Sequence, residues 1–200
     1  MAEAVPRDYV LAQWMYSELP SGRYSGPGVQ KLTDKARKGA PFDELGGAER
    51  DLLVRKWQQV RGGESIFHAA LDGITGFELT HWTREQVAAA YVIPMFAGEV
   101  GHAHSPVTFK QWITTEPNAP LDKGHARYAA DHPGAPSTTE DPVTASLVQI
   151  ITVLGRVNTP EVKPFGLRGF MLLDGYRRAV RFWAKNDPAA TLAVYVPTEV

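Results

Sequence analysis

The residues whose types and spacing most clearly suggest binding or catalysis lie in FMLLDGYRRAVRFW, residues 170–183. An apolar run typical of a strand ends at Asp174 and Gly175, and a helical pattern with Arg177 and Arg178 follows. The start of a helix has unpaired N–H groups and a partial positive charge, both of which favour an anion. Glycine lets a ligand approach the backbone, and guanidinium groups suit phosphate oxygens. The pattern predicts phosphate binding; the alternative is an ordinary turn with solvated charges.

The carboxylate of this stretch has three candidate roles. Asp174 can cap the helix, hold a metal ion that is bound to phosphate, or orient an arginine. The pattern alone does not choose among them.

This stretch resembles the signature of the ParB/sulfiredoxin-like superfamily. In that group a strand ends in an acidic-Gly turn, often D-G-x-x-R, and the next helix begins with the arginine. Asp174, Gly175 and Arg178 match the motif, while Tyr176 and Arg177 occupy its two variable places. The resemblance implies a catalytic role for Asp174 and binding of ATP or another nucleotide, with Mg²⁺, by the other four residues. It also implies phosphoryl transfer to, or nucleotide hydrolysis with, a small-molecule substrate.

The resemblance covers about residues 140–197, and the chain departs from it in three ways. Because the sequence has no cysteine, sulfiredoxin chemistry is excluded. No helix-turn-helix follows the motif, so we expect no role in chromosome partitioning. The catalytic acid of the kinases in this group has no obvious counterpart. Glu78, in FELTHW, is the best candidate for the base, but it precedes Asp174 by 96 positions.

A second constellation consists of His102 and His104. Alternate residues of an extended chain point the same way, so these two imidazoles can share a metal ion. Neighbouring segments contain residues that could complete the site: Glu99, His125, Asp131 and His132. The alternative is a pair of exposed loop histidines. His68, in an apolar helical context, is expected to be packed and hydrogen-bonded.

Composition restricts the class of protein. An apolar content of 44% and a charged content of 22% are those of a globular protein. A net charge of −1 gives no field that would attract nucleic acid or an acidic membrane, so we expect neither partner. The sequence contains no signal-peptide pattern and no apolar run long enough to span a membrane. We therefore expect a cytoplasmic protein, for which a homo-oligomer is compatible with the sequence.

The periodicity of apolar residues, together with the residues that start and end helices, predicts the elements that position these residues. Helices are predicted over 9–19, 29–39, 47–63, 64–74, 84–93, 142–154 and 175–185. Strands are predicted over 77–80, 161–165, 169–173 and 192–196. The segment 107–113 reads as a strand or a short helix, and 114–141 reads as a long loop.

These elements predict an α+β fold with a mainly helical N-terminal region, and the resemblance implies that its sheet is a ParB/sulfiredoxin-like mixed sheet. The predicted division is a helical region at 1–75 and an α+β domain at 76–200. Three functions stay open. The chain is a nucleotide-binding transferase or hydrolase of the ParB-like type, a non-catalytic protein-interaction module, or a metal-dependent enzyme that uses His102 and His104.

Overall fold

The computed structural model describes residues 3–21, 24, 26–62, 65–93, 106–115, 153–156, 169–184 and 187–198. The helices in these ranges are α1 (Arg7–Glu18), α2 (Gln30–Arg37), α3 (Gly47–Val60), α4 (Ser65–Leu71), α5 (Arg84–Ala89), α6 (Phe109–Thr115) and α7 (Tyr176–Ala184). The strands are β1 (Glu3–Pro6), β2 (Gly76–Trp82), β3 (Tyr91–Val92), β4 (Val153–Arg156), β5 (Phe170–Asp174) and β6 (Leu192–Thr198). Short 3₁₀ turns lie at Leu19–Ser21 and Phe42–Glu44.

The strands form one mixed sheet in the order β1-β2-β6-β4-β5-β3. The pairs β1/β2, β2/β6 and β4/β5 are antiparallel, whereas β3/β5 and β4/β6 are parallel. The α+β class and the helical N-terminal region are therefore confirmed. The boundary at residue 75 stays a prediction, and β1 pairs across it with β2.

Each face of the sheet has its own core. Helices α1 to α4 pack on one face, where Trp14 is fully buried beside Phe77 and Met171; we call this the first core. Helices α5, α6 and α7 pack on the other face, around Leu172 and Val194. Because successive strand residues point to opposite faces, the apolar run of β5 supplies both cores. This burial fixes the position of the strand that ends at the predicted phosphate turn.

Two of the predicted helices are wrong in part. The helix predicted over 84–93 ends at Ala89, and Tyr91 and Val92 form β3 beside β5. Aromatic and β-branched residues favour a strand, and Pro94 disfavours helical backbone in the residue before it. The last two positions of the predicted 142–154 helix belong to β4. The other positions of that helix lie outside the described residues.

Gly155 directly follows the predicted 142–154 helix, and it lies inside β4. A Cβ atom at Gly155 would lie 2.7 Å from Leu173 Cδ1 and 2.9 Å from Ala70 Cβ. The glycine is therefore required because α4 packs closely against the sheet at this point.

The other predicted elements agree with the structure where it describes them. Helices are present within 9–19, 29–39, 47–63, 64–74 and 175–185, and strands within 77–80, 169–173 and 192–196. The ambiguous segment 107–113 is mainly helical, as α6. The strand predicted over 161–165 and most of the loop predicted over 114–141 lie outside the described residues.

Candidate functional site

The strand–turn–helix predicted around Asp174 is present. β5 ends at Asp174, Gly175 has a φ of 84°, and α7 begins at Tyr176. The Gly175 carbonyl accepts a hydrogen bond from Ala179 N at 2.9 Å, so Gly175 caps the helix through its backbone. Its own N–H donates to Asp174 Oδ1 at 2.6 Å. Because a positive φ costs other residues roughly 1–2 kcal/mol, the corner favours glycine.

A second carboxylate lies against this corner. Glu18, the last residue of α1, is in hydrogen-bond contact with the Asp174 carboxyl group. Two carboxyl groups form such a bond when one of them holds a proton, since an ionised pair has no donor. Burial, followed by the nearby charge of Glu18, raises the pKa of Asp174 to about 7, although Arg61 and the Gly175 N–H oppose the rise. We call these two residues the acid pair.

Arg61, which follows α3, supplies a positive charge beside the acid pair. Arg61 Nη2 lies 3.8 Å from Glu18 Oε2, and the two side chains are only 12% and 21% exposed. The guanidinium also lies over aromatic rings, 4.9 Å from the centroid of Phe67 and 5.3 Å from that of Tyr24. These contacts hold Arg61 in place and keep it largely out of water.

Arg178 lies deeper than the sequence suggested. The residue is partly buried, and burial lowers the pKa of its guanidinium. It lies near the phenol of Tyr195, whose hydroxyl donates to Gln13 Oε1 at 2.7 Å. The charge of Arg178 therefore acts on Tyr195 as well as on the corner. For Arg177 the structure describes the helical backbone and not the side chain.

Tyr176 has a structural role in addition to its predicted role in cofactor binding. Its hydroxyl donates to the Leu172 carbonyl at 2.5 Å and accepts from Ile93 N at 2.8 Å. Its ring packs edge-on against Trp112, with 5.6 Å between the ring centroids. These contacts connect α7 to β5 and to the segment after β3. The Tyr176 hydroxyl therefore already donates one hydrogen bond and accepts another.

Glu78 is not brought together with Asp174. It is exposed on β2, and β6 and β4 lie between β2 and β5. Its neighbours Phe77 and Leu79 contact the first core, so alternation places Glu78 on the face away from α1. The carboxylate that does meet Asp174 is Glu18, which the sequence reading missed.

The histidine predictions have two outcomes. His102 and His104, together with Glu99, His125, Asp131 and His132, lie outside the described residues. His68 is exposed on α4, so the expectation of a packed histidine is wrong. Within the described ranges, no three or more acidic or histidine side chains are placed to hold a metal ion.

The sequence contains weak signals for Glu18 and Arg61. The stretch from Val10 to Tyr16 is mostly apolar, and Glu18 follows it at the end of α1. Arg61 is the last residue of the basic segment RKWQQVR, a pattern typical of the solvated side of an amphipathic helix. In the structure it directly follows α3, and its side chain is only 12% exposed.

Comparison of this chain with protein-family models, with curated proteins and with solved structures finds no match. Among the helices that the structure describes, none is both long enough and apolar enough to cross a membrane.

Proposed function

We propose that this chain is a nucleotide-dependent cytoplasmic enzyme that transfers a phosphoryl group to a small molecule, or hydrolyses a nucleotide, at the Asp174–Gly175 corner. The observation that carries the proposal is the acid pair at the start of α7. A carboxyl group with a pKa of about 7 accepts and releases a proton near neutral pH, whereas an ordinary aspartate stays ionised. Acid–base chemistry of this kind contributes about 10²- to 10⁴-fold in rate.

The roles follow from the positions of the groups. Asp174 takes the proton of the attacking hydroxyl or water, and Glu18 holds Asp174 in its proton-sharing state. Arg61 offsets the negative charge of Glu18 when both carboxyl groups are ionised. Gly175 is buried and turns the chain into α7, and Arg178 adds a positive charge near the corner.

The described residues fit a nucleotide in part. The first N–H groups of α7 have no partner within the helix and suit phosphate oxygens. The described residues include no metal-holding group of three side chains, so Mg²⁺ is expected to arrive on the phosphates of the nucleotide. The nucleotide would supply the phosphoryl group, and the chain would supply the proton acceptor and the charges around it.

The binding part of the proposal is tested by thermal unfolding with ATP and Mg²⁺. At a hundredfold excess over the Kd, ATP should raise the Tm of the wild-type chain by roughly 5 to 10 °C. Arg178→Ala should lose this shift, because it removes the positive charge near the corner. Arg37→Ala, at an exposed position in α2, is the control and should keep the shift.

The catalytic part is tested by the release of phosphate from ATP. Asp174→Asn keeps an oxygen that can accept the Gly175 N–H, so it should still bind ATP while phosphate release falls at least about 100-fold. No shift with ATP in the wild-type chain contradicts nucleotide binding. A normal shift together with equal phosphate release from the wild type and Asp174→Asn contradicts the role of the acid pair only.

A further inference from the structure

A cleft of about 360 Å³ opens between the start of α1, the end of α3 and α4. Its volume lies within the usual range for small-molecule sites. Its apolar walls come from Trp57, Phe67, Leu71 and Ile74. It differs from the corner at Asp174, because none of the corner residues lines it.

Two of the residues that line this cleft carry a buried hydrogen-bond donor. Trp57 is 2% exposed, and its indole N–H has no hydrogen-bond partner among the described residues. The Nε–H of Arg7 is likewise buried without a partner in that part of the chain. A buried donor without an acceptor costs about 1–3 kcal/mol, which a bound acceptor recovers. The Trp14 indole N–H also finds no partner among the residues that the structure describes, but unlike Arg7 and Trp57 this residue does not line the cleft.

The charges around the cleft favour an anion at one end. Arg7 and Asp72 both line it, and in the described ranges no ion pair joins them, so the guanidinium is not held by the Asp72 carboxylate. His68 adds an exposed imidazole on the α4 side. A carboxylate has acceptor oxygens that suit the Arg7 and Trp57 donors, and the aromatic and aliphatic walls suit a compact apolar body.

We infer that this cleft binds a small monocarboxylate with an apolar body. The carboxylate accepts hydrogen bonds from Arg7 and from the Trp57 indole, and the body packs against Phe67 and Leu71. Asp72 weakens binding because it places a negative charge at the same cleft. This site is independent of the proposed phosphoryl chemistry and rests on different residues.

The test is a titration of the full chain with benzoate, followed by NMR of the tryptophan indole N–H groups. The chain has five tryptophans, and Trp57→Phe identifies the Trp57 signal by removing it. In the wild type that signal should move with saturation, with a Kd at or below about 1 mM. Benzamide, which has a similar shape without the charge, should bind at least about tenfold more weakly.

Three variants make the test specific. Arg7→Gln, at a partly exposed position, should weaken benzoate binding at least about tenfold, whereas Asp72→Asn should tighten it by removing the opposing charge. Arg55→Ala, an exposed arginine elsewhere on α3, is the control and should bind as the wild type does. The inference is overturned by a Trp57 signal that benzoate does not move, by equal binding of benzamide, or by an Arg7→Gln variant with wild-type affinity.

Discussion

At the scale of single residues, the acid pair ties the stability of the fold to pH. In the unfolded chain Asp174 releases its proton near pH 4, whereas in the folded chain it keeps that proton up to about pH 7. Between these values the folded state binds more protons than the unfolded state. The stabilisation is therefore complete below about pH 4 and is lost as the pH rises to about 7.

We expect Asp174→Asn to remove this dependence, because the asparagine amide resembles a protonated carboxyl group that never ionises. The free energy of unfolding of the variant relative to the wild type should rise by at least about 1 kcal/mol between pH 4 and pH 8. Urea unfolding at several pH values measures this difference. Asp51→Asn, at an exposed position on α3, should show no such trend. Parallel curves for the wild type and Asp174→Asn would contradict the shared proton.

Local and distant residues of the site differ in how well the sequence predicted them. Asp174 and Gly175 are adjacent, and an Asp-Gly pair between a strand and a helix predicts a tight turn at that position. Glu18 and Arg61 reach the same point from two separate helices, and no spacing along the chain joins positions 18, 61 and 174. Glu78 was chosen because it lies on a strand, but two other strands, β6 and β4, lie between that strand and β5.

At the scale of elements, the start of α5 shows a local signal that the fold preserves. Thr83 N donates to Gln86 Oε1 at 2.9 Å, and Gln86 N donates to Thr83 Oγ1 at 3.4 Å. This is a capping box, and the predicted start of the helix at residue 84 is confirmed. The end of the same helix was mispredicted, because pairing between β3 and β5 overrides the helical pattern. β4 was missed for a related reason: its partners, β5 and β6, lie later in the chain.

The capping box gives a prediction at this scale. Thr83→Ala leaves the Gln86 N–H without its acceptor and should lower the free energy of unfolding by about 1 kcal/mol. Thr114→Ala is the matched control, since that hydroxyl donates only to carbonyls within α6 and caps no helix start. Chemical denaturation of both variants makes the comparison. Equal losses at the two positions would show that the cap contributes nothing beyond an ordinary threonine.

At the scale of the whole molecule, one buried hydrogen bond joins distant parts of the chain. Tyr195, on β6, donates to Gln13, on α1, across 182 positions, and both residues are buried. The α+β class could be predicted because helical and strand patterns are local. This contact could not, because it depends on β6 lying in the interior of the sheet beneath α1.

We expect Tyr195→Phe and Gln13→Leu each to cost about 1–3 kcal/mol in unfolding free energy, since each leaves the other polar group buried without its partner. The double variant should cost less than the sum of the two, because it removes both groups together. Urea unfolding of the wild type, the two single variants and the double variant measures the free energy of coupling between the two side chains. Strict additivity would mean that the two side chains do not stabilise each other.

The place of β6 has a consequence for how the molecule is made. β6 lies between β2 and β4, yet it is the last of the described strands to leave the ribosome. Until residue 198 has been added, β2 has a partner on one side only, and β4 and β5 cannot join β1 and β2 in a single sheet. A growing chain that still lacks β6 therefore carries open strand edges on β2 and β4, and these edges make it more exposed to aggregation than the folded protein.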